Sequence, residues 1–327
     1  MTNAINDLWY TRCPVPTGLG IAVQLGWLAD EFRSDGIGLK SIQETADLNA
    51  RESHFDHNLP SSFRQGGNIP AIWARAKGRD TRVIGLSWTD EFQAILALPA
   101  SGIRTPRHLA GRRIGLPVNP ISIDFNRATA LKGFASALEL EGLSLDIGER
   151  TRARTRHGYR AEVLALVRGE VDAIYVKGAL GLETARLAGA HIVASLGDHP
   201  DPWVRANNGT PRTLTVDAAL IEARPDLVER FLARVIAAGD WARAHPDETI
   251  AYIARETGST PDWVRQAYGA NAPASLGTFL NDEAAGALGR YKDFLFEHGF
   301  LAADFDIAAW IDPAPFAAVA GRARQAA

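Results

Sequence analysis

Apolar residues along this chain fall into alternating helical and extended patterns. "GLGIAVQLGWLADEF" (18–32) carries Ile21, Leu25, Leu28 and Phe32 three to four residues apart, which predicts a helix with one buried face. A short strand over 7–13 precedes it, Gly36 closes the unit, and "IGLKSIQ" (37–43) predicts a second strand. From 44 to 63 the pattern lapses into a polar, irregular stretch. "IPAIWARAKG" (69–78) predicts a helix whose N-terminus rests on Gly66-Gly67. "RVIGLSW" (82–88) and "QAILALPA" (93–100) predict apolar strands.

A second unit opens near Ser101. "HLAGRRIGLPV" (108–118) reads as a short helix, a turn and a strand, and "ATALKGFASALELEGL" (128–143) as a helix. "RAEVLALVRGEVDAIYVKG" (160–178) reads as helix, glycine turn and strand, and "HIVASL" (191–196) as a further strand. The chain returns with "RTLTVDAALIEA" (212–223), then two helices over 224–258 broken at His245-Pro246, then a helix over 282–301. Strands alternating with helices predict α/β architecture on parallel sheets. The second unit, inserted in the first, implies two crossovers, with lobe I from 1–96 and 210–327 and lobe II from 97–209. Such a chain makes a central cleft between lobes. Ligands in open parallel sheets bind at the carboxyl ends of strands, where helix N-termini point.

Composition narrows the class of protein. The chain has 327 residues, 46% hydrophobic and 22% charged, which suits a soluble protein with room for two domains. Cys13 is the single cysteine, so an internal disulfide framework is excluded and a reducing compartment is expected. "MTNAINDLWY" has no basic region and no apolar run, and no stretch of the chain predicts a membrane span. The expectation is a cytoplasmic monomer. The net charge of −3 divides into +4 over 97–209 and −7 elsewhere. "ERTRARTRHGYR" (149–160) sets Arg150, Arg152, Arg154 and Arg156 at alternate positions, as on a solvated strand face or a mobile loop. Without interleaved aromatics or a nucleic-acid-binding module, it does not predict a nucleic-acid partner.

Candidate chemistry gathers around "YTRCPVP" (10–16). Cys13 is either a small apolar filler or a reactive thiol. Its place between a strand end and a helix start favours an anion, and the flanking prolines fix φ and remove competing donors. His54 lies far away in sequence, as thiol partners often do. "HFDH" (54–57) contains a possible metal pair, but no further His/Cys cluster completes it, so no metal is expected. Arg64 carries a planar fork suited to two oxygens of one anion, and Gly66 and Gly67 let backbone approach that anion. Phe55, beside His54, is the favoured aromatic contact among Phe55, Trp9, Trp73, Trp88 and Trp203. Asn119 and Ser122, in the turn "IGLPVNPISID" (114–124), are candidate polar contacts from the second lobe. Asp172 and Tyr175 read as packing residues.

"HLAGRRIGLP", "LALVRGEVDAIY" and "ARPDLVERFLARVIAAGDWARAHPDE" resemble the nitrate/sulfonate/taurine group of ABC-transporter solute-binding proteins. That resemblance covers roughly residues 5–300 and implies the type II periplasmic-binding-protein-like α/β fold, two lobes with two crossovers. "CPVP" (13–16), "HF" (54–55) and "RQGGNIP" (64–70) resemble the 2'-hydroxybiphenyl-2-sulfinate desulfinase family. This implies an active site of Cys13, His54 and Arg64, with the N–H of Gly67 facing a sulfinate. The chain departs from the pattern at Thr11 and Arg12, where the family has serine and asparagine. It departs again at Gln65, in place of an aromatic residue, and at Asn68, in place of an acidic one. The resemblance implies hydrolysis of the carbon–sulfur bond of an organic sulfinate to sulfite, with no cofactor. Two alternatives are a non-catalytic binder of a sulfonate or related anion, and a cytoplasmic relative with another C–S or pyrimidine-related activity.

Overall fold

The computed structural model describes residues 5–144 and 152–325. Two compact units emerge from the contacts: Met1–Thr89 with Asn208–Glu256 and Asn271–Ala327, and Asp90–Asn207 with Thr257–Ala270.

The first unit is built on a five-stranded sheet. Its strands are β1 (Asp7–Arg12), β2 (Gly38–Ser41), β3 (Ser62–Gly66), β4 (Thr81–Ser87) and the late strand β10 (Arg212–Asp217), in the order β2-β1-β3-β10-β4. β1 runs parallel to β2 and β3, as alternating strands and helices predict. β10 runs antiparallel to both β3 and β4, so the sheet is mixed. It is the strand on which the chain re-enters this unit, and it fills the gap between two strands laid down before the excursion.

The two faces of the sheet are covered by different helices, and alternation along the strands assigns each side chain to one of them. Phe63 stacks on Phe231 of the helix Pro225–Ala244 at 3.7 Å between centroids, and Gln65 accepts a hydrogen bond from the N–H of Leu19 at the start of the helix Gly18–Gln24. Thr11 and Arg64, paired across β1 and β3, point to the other face, toward the helix Leu48–Asp56.

Two expectations change here. The predicted helix 18–32 is two helices, Gly18–Gln24 and Trp27–Arg33, because Gly26 between them takes a left-handed φ of 76°. Ile21, Leu28 and Phe32 are nonetheless buried, so the apolar spacing marked the right face. The stretch 44–63 is not irregular: it holds the helix Leu48–Asp56. Asp47 caps its start by accepting from the N–H groups of Asn49 and Ala50, and His57 ends it in the left-handed region.

The second unit carries β5 (Gln93–Ala97), β6 (Ile114–Val118), β7 (Arg152–Arg156), β8 (Ile174–Lys177) and β9 (His191–Ser195). β8-β5-β9 form an antiparallel sheet, and β6-β7 a parallel pair joined to β8's approach by a bridge from Ile114 to Ala173. The parallel pairing that alternation predicts is met here by β6-β7, while β8-β5-β9 departs from it. Part of the arginine-rich run forms β7, while Arg150 lies outside the described residues. Residues 257–270, read from sequence with the first lobe, belong to this unit, where the helix Pro261–Tyr268 packs on Gly178–Leu187. Asp172 pairs with Arg113 at 2.9 Å and the Tyr175 hydroxyl donates to Gln93 at 2.9 Å, so both residues serve this unit's packing.

Candidate active site

Cys13 follows directly on β1. Its N–H donates to the carbonyl of Gln65 at 3.3 Å, which ties the residue to the end of β3. Thr17 then caps the next helix, accepting from the N–H of Gly20 at 3.0 Å. The neighbour across the strand ends is Gly66, and it leaves no room for any other residue. A Cβ built there would lie 2.1 Å from Cys13 Sγ.

Arg64, paired with Thr11 two residues before Cys13, is 2% exposed. Its guanidinium is fixed on three sides. Nε donates to the carbonyl of His54 at 3.0 Å, one terminal nitrogen to the carbonyl of Gly67 at 2.7 Å, and the other to Cys13 Sγ at 3.7 Å. The planar fork thus holds the helix end, the strand end and the thiol in one arrangement.

His54 comes from the last turn of the helix Leu48–Asp56. Its Nδ1 meets the Thr11 hydroxyl at 2.6 Å, and its Nε2 faces Cys13 Sγ at 4.0 Å. Thr11 therefore fixes the orientation of the ring that faces the thiol. The Phe55 ring stands edge-on to the imidazole, 4.7 Å between centroids.

These contacts set the charge on sulfur. Burial raises the Cys13 pKa, but the Arg64 charge, the His54 hydrogen bond and charge, and the Gly67 N–H lower it further, from 9.0 to about 6. Burial lowers the value of Arg64, and the neighbouring Cys13 opposes that. These contacts favour the thiolate form of Cys13 beside the Arg64 guanidinium.

Gly67 caps the helix Asn68–Ala76, as expected of the Gly-Gly step. A Cβ at Gly67 would meet the Asn208 carboxamide at 2.6 Å. Asn208 in turn accepts from the N–H of Ile69 at 3.0 Å and, through its carbonyl, from the N–H of Asn68 at 2.7 Å. Sequence reasoning missed both Thr11 and Asn208. Thr11 was legible as a position in the strand on the same side as Arg64. Asn208 is 140 residues from its partners and carries no local signal.

Among the other candidates, Trp9 packs under Lys40 and Trp73 under Lys77 in the first unit, while Trp203 packs under Lys132 in the second. Asn119 and Ser122 lie in the second unit, between β6 and the helix Phe125–Glu139, where the Asn119 N–H donates to Asp124 at 3.0 Å. His57 is buried in the wall of a separate cavity of about 790 Å³ with Ser61 and Asp217. Among the described residues, no group of three or more His, Cys, Asp and Glu is arranged to hold a metal. No helix among them is long and apolar enough to cross a membrane.

Over residues 14–249 the chain matches the family described as NMT1/THI5 like, and it belongs to that family. It is also homologous to the 2'-hydroxybiphenyl-2-sulfinate desulfinase of Rhodococcus erythropolis, 28% identical over 96% of this chain and 93% of that one. A putative aliphatic sulfonates-binding protein of Bacillus subtilis is 28% identical over 70% of this chain and 63% of its own length. Among solved structures, a cysteine-to-serine mutant of DSZB in complex with biphenyl-2-sulfinic acid superposes with a TM-score of 0.76, at 26% identity, covering 97% of this chain and 100% of that one. The periplasmic aliphatic sulphonate binding protein SsuA from Escherichia coli gives 0.69 at 17% identity, covering 94% and 92%, a likeness of fold. The α/β fold is that of the type II periplasmic-binding proteins.

Proposed function

We propose that this protein is a desulfinase that hydrolyses the carbon–sulfur bond of an organic sulfinate, an aryl sulfinate foremost, with Cys13 at the reaction centre. Homology supports the coarser statement, a desulfinase-like hydrolase acting on a C–S bond. One observation carries the finer one: Cys13 Sγ has His54 Nε2 at 4.0 Å and an Arg64 nitrogen at 3.7 Å.

In this reading, Arg64 and the Gly67 N–H take the two sulfinate oxygens. The bound anion beside Sγ pushes the thiol pKa back up, so the sulfur arrives at the reaction protonated. The thiol proton passes to the carbon that bears sulfur. The C–S electron pair becomes the new C–H bond, and sulfur dioxide leaves. Water converts it to bisulfite, releasing a proton that His54 returns to Cys13. Overall, sulfinate and water give the desulfinated product and bisulfite.

The lowered Cys13 pKa favours a second route. The thiolate attacks sulfur, an S–S bond forms as the C–S bond breaks, and the carbon takes its proton from His54. Water then releases bisulfite from the Cys13–SO₂ adduct. Rapid quenching followed by mass spectrometry separates the two, since only attack leaves that adduct on Cys13. Binding of aryl sulfinates with no sulfite formed would overturn both and favour a non-catalytic carrier for a sulfonate or related anion.

A further inference from the structure

Arg212, the first residue of β10, is 0% exposed. Its Nε and both terminal nitrogens have no protein hydrogen-bond partner among the described residues. A guanidinium stays charged, and leaving that charge buried without a counter-charge costs far more than one hydrogen bond returns. Among the described residues no carboxylate forms an ion pair with it. Arg212 pairs with Ser87 across β4, and Leu214, two residues on, pairs with Gln65 and Gly85. Arg212, Ser87 and Gln65 therefore stand on one face of the sheet, and Thr278 covers that face at Gly85, where a built Cβ would meet its methyl at 2.6 Å. Ser87 Oγ, Thr278 Oγ1 and Gln65 Nε2 are buried and, among the described residues, likewise lack a partner. Each can donate to a common acceptor.

We propose that Arg212 is the centre of a second anion subsite, completed by Gln65, Ser87 and Thr278, that takes an oxyanion group. Four neighbouring side chains with donors to spare, one of them a buried cation, match a carboxylate or a sulfur oxyanion. The subsite lies at the same end of the sheet as the thiol, since Thr213, next to Arg212, pairs with Gly66. It lies on the opposite face from Arg64. The oxyanion is either a free inorganic anion or a second acid on the organic ligand. The subsite extends the sulfinate reading in the second case and is independent of it in the first.

The test uses the full chain carrying Cys13→Ser, titrated by calorimetry at fixed ionic strength with sodium sulfate, benzenesulfinate and a carboxylated benzenesulfinate. A free-anion subsite binds sulfate, and Arg212→Met removes that binding. A pendant-acid subsite binds the carboxylated sulfinate about tenfold or more tighter than the plain one, and Arg212→Met removes the gain. If Arg212→Met alters neither, the proposal is overturned. Should that variant not fold, Arg212→Lys carries the same comparison, with a loss of about threefold or more expected where a point charge replaces the fork. Unchanged affinity there would overturn it too. Plain benzenesulfinate reads the Cys13–Arg64 site alone, so its failure to bind leaves the sulfate comparison intact.

Discussion

Gly66 makes the space that Cys13 Sγ occupies: any β-carbon at position 66 would fall 2.1 Å from the sulfur. The glycine is required by this approach and not by its own backbone, which is ordinary strand. Gly66→Ala is accordingly expected to displace the thiol while leaving the sheet formed. Sulfite release from an aryl sulfinate should fall by about a hundredfold or more, since misplacement by an ångström costs that much. Circular dichroism should be unchanged. An alanine variant with native activity would mean that the sulfur does not have to sit where it does.

Thr11 acts on sulfur through His54. Removing its hydroxyl in Thr11→Val frees Nδ1 and with it the ring that faces Cys13. The expected result is a Cys13 pKa above about 6, read from thiolate absorbance, and a kcat lower by roughly tenfold to a hundredfold. A purely structural Thr11 would alter stability and leave the thiol titration where it was. Thr11→Ser, which keeps the hydroxyl, should restore both.

The charge on Cys13 is testable without substrate. Alkylation by iodoacetamide should rise with pH through a midpoint near 6 and not near 9.0, and an aryl sulfinate should protect the thiol. The same shift has a sign for stability. The folded value lies below the unfolded one, so unfolding takes up a proton between about pH 6 and 9. This contribution is fully present above the unfolded value and is lost as pH falls through the folded one. Cys13→Ala should flatten that part of the stability profile in chemical denaturation. A wild-type midpoint near 9 would remove the electrostatic basis of the site.

Arg64→Lys keeps a positive charge and loses the fork. One ammonium cannot hold the His54 carbonyl, the Gly67 carbonyl and the thiol together. Activity should drop by about a hundredfold to a thousandfold, with a thiol pKa above the native value. Equal activity of the lysine variant would show that charge alone suffices.

Much of this site was legible because its words are local. The strand end at Cys13, the fork at Arg64 and the glycine step after it each sit where a strand meets a helix, and turn chemistry marks such points. His54 comes from the family resemblance and not from the pattern, since the helix that bears it has no continuous apolar stripe and looks like a loop. Gly26 was equally hidden, as one glycine inside a good apolar spacing does not announce a break. The antiparallel β10 was missed for a different reason. Strand direction depends on where a chain re-enters a sheet, and its apolar pattern is the same either way. Arg212 reads from sequence as an ordinary strand-end arginine, and only burial distinguishes it.

The central claim is tested most directly by mixing the protein with an aryl sulfinate and following sulfite over many turnovers, with Cys13→Ser beside it. The account predicts continuous release by the native chain and a loss of about a thousandfold or more in the variant, which still binds the sulfinate. Equal sulfite from both proteins, or tight binding by the native chain with none, would contradict it.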